Sequence, residues 1–234
     1  MTIQISRRTA IALGFGFSFS AYAGAAPIRI GTVGAGRMGS ALGSVFVKAG
    51  HDVMFSSRNP DELKDLVASL GPKAKAGTVE EAIAFAEVPI LLVPYSAMPE
   101  IAKAHGAALA AKPLVIDVSN PIVPRDGAVG EKARQQGPGL FLAGLMPGVK
   151  LVRAFNAINF AAVGELSERS EKAGVPIAGD DPKALEIAST LIRGIGFEPV
   201  TVGNLAFGRH LLPGQPLGGV HAPAELKQIA ATLT

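Results

Sequence analysis

The sequence contains no cysteine and no tryptophan, and only 6 % of its 234 residues are aromatic. The lack of cysteine excludes disulfide frameworks, thiolate zinc sites and cysteine nucleophiles. The shortage of aromatic side chains argues against the stacking platforms with which proteins bind single-stranded nucleic acid. Apolar residues still make up 48 % of the chain, which is enough for a packed globular core.

Neither sign of charge predominates once the N-terminus is set aside. The formal net charge is +3, but Arg7 and Arg8 lie in a segment that we expect to be removed. Without these two residues, the basic side chains outnumber the acidic ones by one. No cluster of lysine and arginine remains that could displace the counterions of a nucleic acid, so we expect no nucleic-acid partner.

The first 26 residues have the order of a signal peptide. Ser6-Arg7-Arg8-Thr9 precedes an apolar run that two glycines interrupt, and Ala21-Tyr22-Ala23 provides a cleavage site of the A-x-A type. The paired arginines resemble a twin-arginine leader, which predicts export to the periplasm. The alternatives are an uncleaved N-terminal anchor and a cytoplasmic protein whose start site is set too far upstream. No later segment is long and apolar enough to predict a stable membrane span.

From residue 27 onwards, short apolar runs alternate with helical patterns. This alternation predicts an α/β fold, a Rossmann-type doubly wound and mostly parallel sheet, over residues 27–160. The Gly/Pro-rich stretch 121–139 is predicted to be a loop. The predicted strands are residues 28–33, 51–57, 88–93, 114–118 and 150–155, and the predicted helices are residues 37–49, 60–70, 78–85 and 98–110.

Residues 161–234 form a small C-terminal extension that we expect to complete the site. Its pattern predicts a strand over 175–178, a helix over 182–193, a second strand over 198–202 and a terminal helix over 223–232. Asp181 is predicted to cap the first of these helices, with Pro182 at its first position. The glycine-rich tail between the strand over 198–202 and the terminal helix is compatible with an arm exchanged between the subunits of a homodimer.

The motif Gly34-Ala35-Gly36-Arg37-Met38-Gly39 directly follows the first predicted strand and opens a helix. In this setting G-x-G-x-x-G predicts a dinucleotide site. Gly34 permits the tight turn, Gly36 lets the pyrophosphate approach the backbone, and Gly39 lets the helix pack closely on the strand. The helix N-terminus supplies amide donors to the phosphates.

The end of the second strand predicts which dinucleotide is bound. An NAD site usually has an Asp or Glu there, whereas this chain has Ser57-Arg58-Asn59. A guanidinium can clamp the 2′-phosphate of NADP(H), and Ser57 and Asn59 can donate hydrogen bonds to it. Asn59 is also predicted to cap the next helix. The sequence therefore favours NADP(H).

Three further strand ends carry candidate site residues. Ligands of doubly wound sheets bind beyond the carboxyl ends of the strands. We expect Tyr95 to form a wall of the nicotinamide pocket, and Asn120 and Asn156 to hydrogen-bond the ribose or the carboxamide. The candidates at these ends are Val93, Tyr95, Asn120, Ala154 and Asn156.

With these motifs assembled, the chain resembles the NADPH-dependent reductases of the deazaflavin coenzyme, whose nucleotide domain is related to those of pyrroline carboxylate reductases and the metal-reducing six-transmembrane antigens. The resemblance rests on Gly34 to Gly39, Ser57-Arg58, Ser119-Asn120-Pro121 and Val152 to Asn156. It implies that Ala35 to Met38 contact the pyrophosphate, and that Tyr95, Asn156 and Ile158 lie near the nicotinamide. It also implies a small-molecule hydride acceptor, a deazaflavin or flavin-like ring.

The chain departs from this family at one position. A basic residue that often follows the arginine is missing; Glu62 stands near that place, and Lys64 would have to substitute.

Hydride transfer between two rings requires alignment and exclusion of water, so we assign no acid or base and no metal ligands. Two alternatives stay open: a reductase of ferric or cupric chelates, and a protein that binds NADP(H) without turnover. In the latter, residues 213–220 would plug the pocket opposite the nicotinamide. Imine reduction is disfavoured because the segment after Gly203 is too short for a helical dimerisation domain.

Overall fold

Eight strands form one sheet in the computed structural model, which describes residues 27–233. The order is β3-β2-β1-β4-β5-β6-β7-β8, and every neighbouring pair is parallel except β6 and β7. This confirms the predicted Rossmann-type, mostly parallel sheet. The strands are β1 (Arg29–Val33), β2 (Asp52–Ser56), β3 (Ala74–Gly77), β4 (Val88–Leu91), β5 (Val115–Asp117), β6 (Leu151–Arg153), β7 (Gly174–Gly179) and β8 (Glu198–Gly203).

Helices cover both faces of the sheet. Successive residues of a strand point to opposite faces, so Ile116 belongs to one apolar cluster and Val115 to the other. The first cluster includes buried residues of α1 and α8, and the second those of α4 and α6. The helices are α1 (Arg37–Lys48), α2 (Lys64–Leu70), α3 (Val79–Phe85), α4 (Met98–Ala110), α5 (Val123–Gln136), α6 (Pro138–Leu145), α7 (Val163–Glu168), α8 (Pro182–Gly194) and α9 (Pro223–Ala231).

The C-terminal extension continues the sheet. Val152 of β6 pairs with Gly179 of β7, and β8 lies parallel to β7 at the edge. As predicted, Asp181 caps α8 by accepting a hydrogen bond from the Ala184 N–H at 2.8 Å. The tail packs on its own chain through Leu217, which is completely buried in a third apolar cluster. Exchange of this arm in a homodimer stays a prediction, and so does the division of the chain at residue 160.

Two sequence predictions about the first half were incomplete. The strand β3 was missed because Ala74-Lys75-Ala76-Gly77 lacks the β-branched residues that indicate strands; its pairing with β2 decides its conformation. The stretch 121–139, predicted to be a loop, contains the whole of α5 and the start of α6, with non-helical backbone at Gly127. Within residues 27–233, no helix combines the length and hydrophobicity needed to cross a bilayer.

The helix predicted over residues 60–70 is divided. A 3₁₀ turn covers Pro60–Leu63, and the α-helix begins at Lys64. Asn59 occupies the N-cap position of this turn and Pro60 its first position, as predicted, but the Asn59 side chain makes no capping bond, and its amide donates to Glu62 Oε1 at 3.0 Å.

His51, three residues after the end of α1, is buried. Its Nδ1 accepts a hydrogen bond from the Ile28 N–H at 3.2 Å, and its ring packs edge-on against Phe46. Nδ1 must be unprotonated to accept this bond. Burial, followed by the charge of Lys73, lowers the pKa of His51 below its ordinary value of 6.5.

We expect the free energy of unfolding to fall as the pH drops below 6.5, because the unfolded chain then binds a proton that His51 in the native state resists. His51→Gln removes this titration at the cost of about 1 kcal/mol for the lost hydrogen bond. Denaturant unfolding at pH 7.5 and pH 5 should show a smaller pH dependence for the variant. His105→Gln on α4 is the control, and an identical reduction there would contradict the assignment.

Candidate dinucleotide site

The glycine motif forms the turn between β1 and α1. Gly34 has a φ of +104°, which an L side chain rarely adopts, and a Cβ on Gly39 would overlap the carbonyl oxygen of Gly34. A Cβ on Gly36 would meet no atom within 4 Å. Two of the glycines are therefore required by the fold, whereas Gly36 leaves open space beside the helix N-terminus.

The N-terminus of α1 lacks the side chains that usually satisfy its amides. Gly36 at the N-cap has no side chain to accept a bond, and no acidic residue occupies the first turn. Ser40 Oγ instead donates to the Ala35 carbonyl at 2.9 Å, which holds the turn. Free amides and a helix dipole at this end favour an anion such as a pyrophosphate.

The end of β2 lies beside the glycine turn. Ser56 Oγ accepts from the Gly34 N–H at 3.1 Å and donates to the Thr32 carbonyl at 2.7 Å, joining β2 to β1. The chain continues through the half-buried Ser57 to the exposed Arg58, which forms no ion pair within residues 27–233. Ser57 Oγ accepts from the Asn59 N–H at 3.2 Å.

The basic residue named as a substitute after Arg58 is already engaged. Lys64 Nζ lies 2.9 Å from Asp61 Oδ1, so the pair carries no net charge toward a ligand. Arg58 is then the guanidinium that the β2 end offers.

A cavity of about 540 Å³ opens at the carboxyl ends of β1, β4, β5 and β6. Its charged lining residues are Arg37 and Arg125; it has no carboxylate, histidine or lysine in its wall. Within the described chain no three His, Asp or Glu side chains come together as a metal site. The predicted residues in the wall are Arg37, Met38, Val93, Asn120, Asn156 and Ile158, and the residues that sequence reasoning missed are Leu92, Val118, Ser119, Ile122, Arg125, Phe155, Ala157, Asn159, Phe160 and Pro213.

The sequence failed to predict these wall residues for different reasons. Arg125 was hidden because residues 121–139 were predicted to be a loop, although Pro124 at the start of α5 is an N-terminal helix signal. Phe160 had no local sequence signal; in the structure its ring centre lies 5.2 Å from the Arg37 guanidinium.

Tyr95 and Ala154 do not reach the cavity. Both are completely buried, and neither lines the wall. The expectation that Tyr95 walls the nicotinamide pocket is corrected: its ring packs against Phe141, and its hydroxyl lies 3.3 Å from Asp117 Oδ2. Tyr95 thus belongs to the layer beneath the site.

This layer contains an ion pair between Asp117 of β5 and Arg153 of β6. Arg153 Nη1 also donates to the Tyr95 hydroxyl at 2.8 Å. Burial raises the pKa of Tyr95 well above its ordinary value, so the phenol stays neutral. Burial alone would lower the pKa of Arg153, but Tyr95 and Asp117 outweigh it and raise this pKa, so the guanidinium keeps its charge. Burial raises the pKa of Asp117.

Residues 155 and 156 form a strained turn after β6. Phe155 has a φ of +60°, the one positive value for a non-glycine residue among those described, which costs on the order of 1 kcal/mol. Its ring packs edge-on against Phe197 with centroids 5.4 Å apart. Asn156 Nδ2 donates to the carbonyls of Asp117 at 3.1 Å and Ser119 at 3.2 Å. Strain of this kind is common where a side chain is presented to a ligand.

Two buried acceptor atoms in this wall lack partners. They are Oδ1 of Asn120 and Oδ1 of Asn156, which accept no hydrogen bond within residues 27–233. Asn120 Nδ2 donates to the Asn156 carbonyl, so both amides are held by their nitrogen atoms. An unpaired buried acceptor costs about 1–3 kcal/mol, which a donor from the cavity would recover.

Asp126 holds the part of the cavity wall that Ile122 and Arg125 form. Its carboxylate accepts from the Ile122 N–H at 2.8 Å and from Arg125, and it reaches the Ser96 N–H at 3.3 Å. Burial would raise the pKa of Asp126, but these hydrogen bonds outweigh it and lower the pKa below its ordinary value. The carboxylate therefore ties α5 to the segment after β4.

Part of the sequence matches the model of a known protein family. Residues 29–121 match the family model described as NADP oxidoreductase, coenzyme F420-dependent. Over these residues the chain is similar to the F420-dependent NADP oxidoreductases. The glycine turn, the β2 end and the β4 and β5 ends all lie in the matched residues. The predicted resemblance to this family is confirmed over residues 29–121.

Relatives extend the similarity beyond this domain. The Metalloreductase STEAP3 of Rattus norvegicus is 32% identical over 189 residues, which cover 78% of this chain and 35% of that protein. The chain thus spans about a third of the length of this curated relative.

Two solved structures have the same fold. The hypothetical protein SMa0349 of Sinorhizobium meliloti has a TM-score of 0.70 and 27% identity, covering 84% of this chain and 95% of the other. A protein of Arthrobacter sp. FB24, assigned as an F420-dependent NADP-reductase, has a TM-score of 0.62 and 18% identity, with coverage of 78% and 87%. At this identity the second likeness shows the fold alone.

The glycines of the turn between β1 and α1 allow a matched test. Gly36→Ala should fold with an unchanged melting temperature, because its Cβ has space, yet it should weaken NADPH binding at least tenfold by filling the place of the pyrophosphate. Gly39→Ala should instead be destabilised, since its Cβ overlaps the Gly34 carbonyl. Calorimetric titration and thermal unfolding measure both variants. Unchanged NADPH binding in Gly36→Ala would contradict this placement.

Proposed function

We propose that the protein is an NADPH-dependent oxidoreductase that transfers hydride between NADP(H) and a deazaflavin or flavin-like ring. The observation that carries the proposal is the cavity at the strand ends, which continues from the glycine turn and has a mostly apolar wall without carboxylates. Such a wall suits two flat rings in contact, and excludes water from them.

The proposed binding of the phosphate groups of NADP(H) is supported by the elements beside the glycine turn. Gly36 leaves room for the pyrophosphate, and the uncapped N-terminus of α1 supplies amide donors. Arg58, with Ser57 and Asn59 on either side, would hold the 2′-phosphate. A guanidinium that forms no ion pair among the described residues, at a strand end that carries no Asp or Glu, favours the phosphorylated dinucleotide over NAD.

The proposed binding of the nicotinamide end is supported by the two asparagines, Asn120 and Asn156. When bound, NADPH supplies a hydride from the nicotinamide ring, and the acceptor takes a proton from solvent. Asn120 and Asn156 offer acceptor atoms to the carboxamide and ribose donors of the nucleotide, while Val93 and Ile158 pack against the ring. These residues orient the two rings, and none of them has to exchange a proton during transfer.

The position of the tail favours turnover over binding alone. A plug formed by residues 213–220 would favour a protein without turnover, but only Pro213 of this stretch lines the cavity. Leu217 is buried elsewhere, in the cluster with Leu211 and Leu226. Space for a second substrate therefore remains beside the nicotinamide position.

A second candidate is the reduction of ferric or cupric chelates. The likeness to a metalloreductase favours it, and Arg37, which forms no ion pair among the described residues, gives the cavity a positive charge that suits an anionic chelate. In that case the metal is substrate, and the described residues need no metal ligands.

Arg58→Ala tests the choice of nucleotide. Loss of hydrogen bonds between a guanidinium and a phosphate costs about 1.5–3 kcal/mol, so NADPH binding should weaken roughly tenfold to a hundredfold while NADH binding stays unchanged. Titration of both nucleotides into the wild type and the variant measures this. Lys64→Ala is the matched control and should change little; equal losses for NADPH and NADH would contradict the assignment.

The acceptor is tested by NADPH oxidation, followed by absorbance, with a deazaflavin, with riboflavin and with ferric citrate. We expect saturable turnover with the deazaflavin or the flavin at catalytic protein concentration. Fast turnover with the chelate alone would favour the second candidate. Tight NADPH binding without turnover of any of the three acceptors would support the alternative that the protein binds NADP(H) without catalysis.

We further propose that residues 1–26 direct the folded protein, with its nucleotide bound, to the periplasm through twin-arginine export, the route for folded cargo. The support is the Arg7-Arg8 pair with its weakly apolar run. A reporter fused to residues 1–30 should be exported, and Arg7→Lys/Arg8→Lys should block this. A wild-type fusion that stays in the cytoplasm would instead favour a start site set too far upstream.

A further inference from the structure

The buried polar layer beneath the cavity joins three strand ends. Tyr95, Asp117 and Arg153 are each 0% exposed, and among residues 27–233 the pair of Asp117 and Arg153 is the one ion pair with both side chains fully buried. Tyr95 follows β4, Asp117 ends β5 and Arg153 ends β6. We call these three residues the buried triad.

The buried triad holds the residues that line the cavity. Arg153 Nη2 donates to the Ser119 carbonyl at 3.3 Å, and Asp117 Oδ1 accepts from the Ser119 N–H at 3.0 Å. The Asn156 side chain then donates to the carbonyls of Asp117 and Ser119. The orientation of the Asn156 amide therefore depends on backbone that the triad fixes.

Arg153 itself has little freedom. A Cβ added to Gly208 would crowd Arg153 Cδ, and one added to Gly139 would lie 3.2 Å from the same atom. The Tyr95 hydroxyl, also 3.3 Å from the Pro138 carbonyl, receives the Arg153 Nη1 hydrogen bond. Packing on both sides therefore keeps the guanidinium in one orientation.

Stability alone does not account for this arrangement, since a buried ion pair contributes little compared with apolar side chains of the same volume. We infer that Tyr95, Asp117 and Arg153 are positioning residues for the nicotinamide half of the bound nucleotide, acting through Asn156 and Ser119. This inference rests on the proposed function. It assigns the triad no contact with the 2′-phosphate half, which lies at the β2 end.

Two probes separate these halves. NADPH contains the nicotinamide, whereas adenosine 2′,5′-bisphosphate contains only the adenosine with its 2′-phosphate. Tyr95→Phe removes the hydroxyl and keeps the ring and the ion pair. We expect it to weaken NADPH binding roughly threefold to tenfold. Its affinity for the bisphosphate should stay within about twofold of wild type, because that half of the site is untouched.

A double-mutant cycle tests whether Tyr95 acts through Asn156. Asn156→Ala alone should lower NADPH affinity and leave the bisphosphate unaffected. In the Asn156→Ala background, Tyr95→Phe should cause little further loss, because the side chain that it positions is gone. Losses that simply multiply would overturn the inference.

A second variant removes the ion pair without leaving an unpaired charge. Arg153→Met/Asp117→Leu should fold and should lose at least tenfold in NADPH affinity, again with the bisphosphate retained. If this variant fails to fold, Tyr95→Phe still decides, since it keeps the pair.

Two controls complete the experiment. His51→Gln loses a buried polar group away from the cavity and should bind both probes as the wild type does. Arg58→Ala should lose affinity for both. If Tyr95→Phe weakens both probes equally, its role is structural and the inference is wrong. If the wild type binds neither probe, the proposed function is wrong, and the inference falls with it.

Discussion

The site depends on the parallel hydrogen bonding of β1, β4, β5 and β6. Because these four strands run in the same direction, their carboxyl ends meet at one edge, and the turns that follow them face a common space. The glycine turn, Asn120 and Asn156 come from distant parts of the chain, yet all lie at that edge. Reversal at β7 ends this series, so the extension contributes Pro213 to the wall but no strand end.

Two kinds of close contact stabilise the carboxyl edge of the sheet. At β1, the absence of a side chain on Gly39 lets α1 approach the carbonyl of Gly34, which directs the helix N-terminus at the cavity. At β5 and β6, charged side chains inside apolar strands pair beneath the wall. In the proposed function the first contact would serve the phosphates and the second the nicotinamide ring, so the two halves of the nucleotide would depend on different physical interactions.

The sequence predicted the elements that have strong local signals. Apolar runs located seven of the eight strands, and Asp181-Pro182 located the start of α8. It failed where the local signal was weak: β3 has no β-branched residue, and α5 has glycines in a stretch that resembles a loop. Asp117 and Arg153 carried an unused signal, since opposite charges inside two adjacent buried strands must find partners.

The sequence by itself determined the fold class and the nucleotide-binding turn, because alternating apolar runs and the spacing of Gly34, Gly36 and Gly39 act locally. Only the tertiary structure decided that Tyr95 lies beneath the cavity, and that Arg125 and Phe160 line it. Those positions depend on strand order and helix packing, which bring together residues far apart in the chain. A side chain at a strand end can point into the cavity or under it, and the pairing with neighbouring strands makes that choice.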